Sequence, residues 1–309
     1  MKISVLDNYK LYGKCLHMTN DIIEVVATID VGPRIVHFSF VDGTNVLHSD
    51  RDSFNPLTGK KFDEHYYKGA AWENLGGHRL WISPESLPET YYPDTDPIEY
   101  EIENNTIRLI QAPQEVNGVA ISLEITMEDN SNEIEVVNKC KNISGDIKEF
   151  APWAITVLAK GGVEIIPLNT NNTGLLPNRI LSLWPYTNLQ DERLFIGNKY
   201  ITVKQDESKP EALKIGTDNN AGIAFYVLND VVFCKKYNHI LGGSYADGGV
   251  SFETYTNANI IECETLGELK SVKAEETVIH KEYFSLYKNK SQFDYKNDNS
   301  ISEFLKIIK

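Results

Sequence analysis

No stretch of this chain of 309 residues stays apolar long enough to span a bilayer. The N-terminus meets Asp7 before an apolar leader segment could develop, so no secretory signal is expected. Cysteine is scarce. Cys15, Cys140, Cys234 and Cys263 lie far apart with no Cys-x-x-Cys pair, which argues against a disulfide framework or a zinc site. Buried free thiols in a reducing, cytoplasmic setting are the economical expectation. Basic residues are outnumbered, 30 against 44 acidic ones, for a formal charge of −14. That balance argues against a nucleic-acid partner, which calls for a basic stripe, and against anionic membrane surfaces. It leaves neutral sugars open. There is no phosphate-cradling glycine loop between strand and helix, no Gly-x-Ser-x-Gly elbow and no His-Glu-x-x-His. His17, His37, His48, His65, His78, His239 and His280 are scattered, and none pairs at metal-ligand spacing. Neither a metal nor a cofactor is called for.

What the chain does have is strands. β-branched or alternating runs recur at residues 21–30, 34–41, 98–103, 106–111, 119–127 and 133–141. Others follow at 149–158, 163–168, 200–204, 223–228, 231–237, 249–255, 259–265 and 277–287. The later part of 149–158 is nearly all apolar, as for a strand buried on both faces. Turn residues separate the runs, there is no β–α alternation, and no internal repeat indicates a propeller. An all-β fold follows, a large antiparallel sandwich. Residues 49–71 read as a long polar loop, and 88–97 as an irregular loop of tyrosines, aspartates and prolines. Composition offers no internal boundary. We expect one domain over 1–287, then a polar linker and a short amphipathic helix over 288–309, where Ile301, Phe304, Leu305 and Ile308 are spaced as a helical stripe.

One stretch concentrates the chemistry: Gly76-Gly77-His78-Arg79-Leu80-Trp81-Ile82-Ser83-Pro84-Glu85. The glycine pair admits a backbone conformation closed to other residues, or a close approach by another chain. The strand after it puts Arg79 and Trp81 on one face and His78, Leu80 and Ile82 on the other. An indole, a guanidinium and the nearby Glu85 suit a sugar, whose C–H faces stack on aromatic rings and whose hydroxyls take charged partners. The competing assignment makes Arg79 a structural ion-pair partner and Trp81 a core residue.

A second cluster lies at 249–267. Glu253 shares a face with Ser251 and Tyr255, and Glu262 shares one with Glu264, opposite Ile261 and Cys263. Two carboxylates so spaced need solvent or a cation, for which Lys235 or Lys236 is a candidate. An edge strand blunted with acids is the bland alternative. A general base or hydroxyl acceptor is the functional one. Tyr237 and His239 stand close by in sequence, and His280 reads as a surface or structural histidine.

Gly76 to Trp81 with Pro84-Glu85, Tyr91-Tyr92-Pro93-Asp94, Ala151-Pro152-Trp153-Ala154, Tyr245-Ala246-Asp247-Gly248-Gly249 and Phe252 to Asn257 together resemble a family of the galactose-mutarotase-like superfamily. The closing segment from Glu262 to Leu269 and on through Glu276 is similar to the ending of aldose epimerase-like chains. The resemblance spans roughly residues 20–287. It implies a β-supersandwich whose concave sheet face holds a free sugar, with no cofactor. It also implies aldose 1-epimerase-like chemistry, in which a glutamate takes the proton of the anomeric hydroxyl while a histidine protonates the ring oxygen. By what the resemblance implies, Glu253 fits the base by its distance to the turn before the last strand, Glu264 or Glu262 by local motif; His78 or His239 would be the acid. The family's Asn-His-Gly is absent here. The alternative is a non-catalytic carbohydrate-binding protein. The candidate sugar contacts are Arg79, Trp81, Glu85, Trp153, Lys235, Tyr237, Glu262 and Arg34.

Overall fold

The computed structural model describes residues 1–49 and 56–308. Strands numbered in chain order form two large antiparallel sheets packed face to face. The first sheet begins at β1 (Lys2–Leu6), β2 (Cys15–Thr19), β3 (Ile23–Thr28), β4 (Ile35–Phe40) and β5 (His78–Ser83). It continues through β10 (Lys148–Leu158), β19 (Ile261–Leu266), β18 (Phe252–Thr256), β15 (Leu213–Thr217) and β12 (Leu181–Leu183), and β20 (Lys270–Val272) adds to one end of β10. The second sheet begins at β13 (Leu194–Ile196), β14 (Tyr200–Lys204), β11 (Val163–Pro167), β16 (Ile223–Leu228) and β17 (Val231–Tyr237). It ends with β21 (Thr277–Lys288), β9 (Glu133–Asn142), β8 (Val119–Met127), β7 (Thr106–Ile110) and β6 (Glu99–Glu103).

Alternation along these strands builds the core. Leu16, Met18, Val25, Phe38, Leu80, Ala154 and Leu158 point inward from the first sheet, against Ile121, Leu123, Val136, Phe233, Phe284 and Leu286 of the second. Each such large side chain contributes about 1.5–3 kcal/mol of burial. All four cysteines are free and buried in strands of this sandwich.

The structure departs from the sequence-based reading in three places. Strands β1, β2, β12, β13, β15 and β20 are additional; most are short, or carry too few β-branched residues to stand out. The stretch expected as a loop contains a short helix, α1 (Lys60–His65), with Phe62 buried, and residues 50–55 of that stretch lie outside the described residues. The acid-bearing strand β19 is not an edge, since it lies between β10 and β18. A terminal helix α2 (Asp298–Ile307) follows the expected stripe and is capped by Asn297, whose side chain accepts from the Asn299 and Ser300 amides. It buries Ile301 and Phe304 against Ile165, Val227 and Val232 on the outer face of the second sheet.

The glycine pair fixes where β5 starts. Gly76 and Gly77 have φ of +69° and +66°, and a Cβ on either would lie 2.4 Å from the His48 carbonyl or 2.2 Å from that of Ile35. Both reasons for glycine apply, a left-handed backbone and a close approach. The tight passage lets the Gly77 amide donate to His48 at 2.8 Å and the Val157 amide to Gly77 at 2.9 Å. β5 therefore enters β10 in fixed register, with Arg79 opposite Ile155 and Trp81 opposite Trp153.

Candidate functional site

The five central strands β5, β10, β19, β18 and β15 each send alternate residues away from the core, onto the outer face of the first sheet. The registers align Arg79, Ile155, Glu264 and Glu253 in one row across it. Tyr255 stands opposite Glu262 and Lys214 opposite Tyr255 in the next row. Over these rows lies a pocket of about 300 Å³. Arg79, Trp81, Trp153, Lys214, Tyr255 and Glu262 form its floor, and Trp72, Asn74, Glu85, Tyr91, Tyr186 and Asn257 its walls.

Aromatic rings hold the floor rigid. Trp81 packs edge-on against Trp153 and Tyr91 with centroids 5.5 and 4.9 Å away, and lies 5.3 Å from Trp72. The Arg79 guanidinium sits 4.4 Å over Trp81 and 5.6 Å from Trp72, a cation–π arrangement that fixes its plane. Its Nη2 donates to Glu262 Oε1 at 3.1 Å, while Nε and Nη1 are buried without a partner. At the rim the Tyr91 hydroxyl donates to Glu85, and the Asn257 amide donates to the Tyr255 hydroxyl at 3.1 Å.

Beneath the floor sits a second ionic group. Lys214 Nζ lies 2.8 Å from Glu253 and 3.0 Å from Glu264, between the faces of Trp153 and Trp184 at 4.6 and 4.7 Å. The Trp153 indole donates to Glu264 at 2.9 Å. Burial opposes the charge on Lys214, but the Glu264 and Glu253 carboxylates outweigh it and hold its pKa above the ordinary lysine value. Burial raises Glu253 well above the carboxylate range and raises Glu264 too, with Lys214 pulling the other way, Glu264 adding to the rise of Glu253 and Glu262 to that of Glu264. Glu253 and one oxygen of Glu264 have no aligned hydrogen-bond donor.

The sequence-derived candidates divide by face. Arg79, Trp81, Glu85, Trp153 and Glu262 surround one hollow. Glu253 and Glu264 are fully buried under it and reach it only through Lys214 and Trp153. The rest lie elsewhere, and their assignments are corrected. His78 points into the space between the sheets, with Nδ1 3.0 Å from Thr156 and Nε2 3.1 Å from Asn138, so the sheet itself separates it from the pocket. His239 is held 2.6 Å from Asp218 and stacks on Tyr245. Lys235 is not the cation of the acidic strand: it lies between the sheets, 2.9 Å from Glu282, while Lys236 pairs with Glu133. The Tyr237 hydroxyl donates to the Asn219 carbonyl in the core. Arg34 is buried behind the site, 2.6 Å from Asp94, and holds the 88–97 loop from which Tyr91 reaches the pocket.

The paired acids take a cation each, Arg79 for Glu262 and Lys214 for Glu264; the sequence reading missed Lys214, along with Trp72, Asn74 and Tyr186. The available signal was the alternation of Leu213, Ile215 and Thr217 against Lys214 and Gly216. A larger depression of about 600 Å³ lies on the second sheet, between Ile110, Ala120, Ser122 and Lys139. It is lined by no aromatic residue, so it lacks the stacking surface a sugar uses.

No protein-family model matches the chain, and no curated protein does. Solved structures do match. A galactose mutarotase-like protein from Lactobacillus casei aligns with a TM-score of 0.56 at 8% identity, over 88% of this chain and 100% of that one. A provisionally named aldose 1-epimerase from Klebsiella pneumoniae aligns at 0.57 and 10% identity, over 99% of this chain and 86% of the other. A TPR-domain-containing protein from Parabacteroides distasonis aligns at 0.58 and 11% identity; 91% of this chain matches 48% of that protein, about half its length. At such identities the likeness is one of fold. This chain has the galactose mutarotase-like fold, two large antiparallel sheets with a short C-terminal helix.

Proposed function

We propose that this is a carbohydrate-active protein of the aldose 1-epimerase kind, which takes one free sugar ring in the Arg79–Trp81–Glu262 pocket and interconverts its anomers. One observation carries the reading: a buried Arg79–Glu262 ion pair with unspent donors, set among tryptophan faces in a hollow of about 300 Å³. That volume equals about ten waters of bulk liquid, room for a single ring. The aromatic faces suit its C–H groups, and Arg79 and Asn74 suit its hydroxyls. Glu262 is the better placed base. It lines the pocket and lies 3.1 Å from the Arg79 guanidinium. Saturation-transfer NMR with a panel of aldoses tests occupancy, and polarimetry on freshly dissolved single anomers tests turnover. Ring-proton transfer together with faster loss of optical rotation is expected; rates equal to the buffer blank across the panel would overturn the enzyme reading. A second reading is sugar binding without catalysis. It is favoured by the fact that none of the described residues lining the pocket is a histidine. Binding without acceleration would select it.

A further inference from the structure

Opening a cyclic hemiacetal needs a base at the anomeric hydroxyl and an acid at the ring oxygen in the same pocket. The lining supplies few acids. The Tyr91 hydroxyl is spent on Glu85, and the Tyr186 and Tyr255 phenols keep their protons but are neutral donors that burial makes weaker acids. Arg79 does not release its proton. Lys214 lines the pocket with an ammonium that donates to Glu264 at 3.0 Å and pairs ionically with Glu253 at 2.8 Å, so of its three N–H groups only the one on Glu264 is an aligned hydrogen bond. From the geometry we infer that Lys214 is the general acid, working against Glu262 as base.

This rests on the epimerase reading and sharpens it. Glu262 and Glu264 are two residues apart on one face of β19, a separation of about 6.7 Å along the strand. Lys214 stands two strands from Glu262 in the same cross-strand row, and both line the one hollow, with the Lys214 ammonium resting on Glu264. In the forward step Glu262 takes the proton of the anomeric hydroxyl and that oxygen becomes the aldehyde oxygen. The C1–ring-oxygen bond breaks, its electron pair stays on the ring oxygen, and Lys214 Nζ protonates it. After rotation about C1 the new hydroxyl attacks the other aldehyde face, returning its proton to Lys214 while protonated Glu262 gives one back to the anomeric oxygen. Lys214 ends each turnover as an ammonium, so nothing is consumed. The groups facing Lys214 are Glu253, Glu264, Trp153, Trp184, Tyr186 and Tyr255.

The test uses the full chain and polarimetry at saturating aldose. Lys214→Met is expected to lower kcat at least about 100-fold, the scale of a lost general acid, with sugar affinity by NMR changed less than tenfold. Lys214→Arg keeps a cation between the two glutamates but gives up no proton, so it is expected to fold normally and be as slow. The wild-type pH profile is a readout free of mutation. A lysine acid keeps the blank-corrected rate level past pH 9, whereas a histidine acid makes it fall near about 6.5. A neutral-pH fall, an active Lys214→Arg, or loss on Tyr186→Phe with Lys214→Met unaffected each overturns the inference and leaves the epimerase reading standing. A wild type no faster than buffer overturns the epimerase reading and this inference with it.

Discussion

Two ionic clusters lie back to back across the first sheet: the outer one is built on its strands, and the inner one joins them to β17 and β21 of the second sheet. On the inner side Lys235 contacts Glu282 at 2.9 Å, the Ala154 and Cys263 carbonyls at 3.0 Å and Thr156 at 2.9 Å. Glu282 also takes Asn138 and Thr265, with His78 and His280 close by at 3.5 and 3.9 Å. Lys235, Glu282, His78 and His280 all have partners there, while the nearby Glu164 carboxylate is buried without one and burial raises it to about 8. On the outer side Arg79, Glu253 and Glu264 keep polar atoms without partners, next to a void. Buried polar groups are ordinarily satisfied, so the leftover Arg79 donors beside a pocket mark the outer cluster as the one poised for a ligand, and the partnered Lys235–Glu282 group is a structural fastening.

The strongest way to break this contrast is to remove each lysine. Lys235→Met strands the Glu282 carboxylate in the dry core and is expected to cost about 3–5 kcal/mol in urea unfolding. Lys214→Met is expected to cost about 1 kcal/mol, because burial already disposes Glu253 and Glu264 to hold protons. Equal losses would mean that the two clusters are alike.

The next effect is acid sensitivity of the inner cluster. Burial lowers His78 and His280 to about 4, against the pull of Glu282. A lowered histidine favours the fold above its unfolded pKa of about 6.5, and that stabilisation is lost as pH falls from there towards 4. Each adds a slope of about 1.4 kcal/mol per pH unit in that window, so His280→Gln should flatten the urea-midpoint profile by that amount. Burial works against ionisation of Glu282, but Lys235 and the two histidines hold it down at about 2, so its share disappears only below about 4.5. An unchanged slope in the variant would place the acid sensitivity elsewhere, for instance at His37, which burial also lowers to about 4.

Smaller effects belong to the outer cluster and appear in ligand affinity, not stability. Arg79→Met removes the charged donors and frees Glu262, and should weaken sugar binding about 10–100-fold in titrations. Tyr91→Phe only releases Glu85 at the half-exposed rim, where about threefold is expected. If Tyr91→Phe proved the more damaging, the ion pair would not be the centre of the site.

Much of this was legible in the chain because a strand's side-chain period is two. That period put Arg79 and Trp81 on one face and His78 on the other, and paired Glu262 with Glu264, as the coordinates have them. What stayed hidden depends on which strands become neighbours. Lys214 stands in a strand of five residues beside Gly216, and nothing local tells that β18 will bring Glu253 to it. Lys235 was misplaced for the same reason: its strand belongs to the opposite sheet, so its ammonium meets Glu282. The resemblance drew His78 towards catalysis, although its own alternation already set it among Leu80 and Ile82.

The glycine hinge ahead of β5 carries a consequence for the gene as well as the molecule. Because its clamp onto residues 35 and 48 sets where the strand begins counting, one codon inserted after Gly77 would turn every following side chain over. The imidazole would then face outward and the guanidinium would be driven between the sheets beside Lys235. Single-residue insertions or deletions here should therefore be among the least tolerated in the chain, even though every chemical group would still be present.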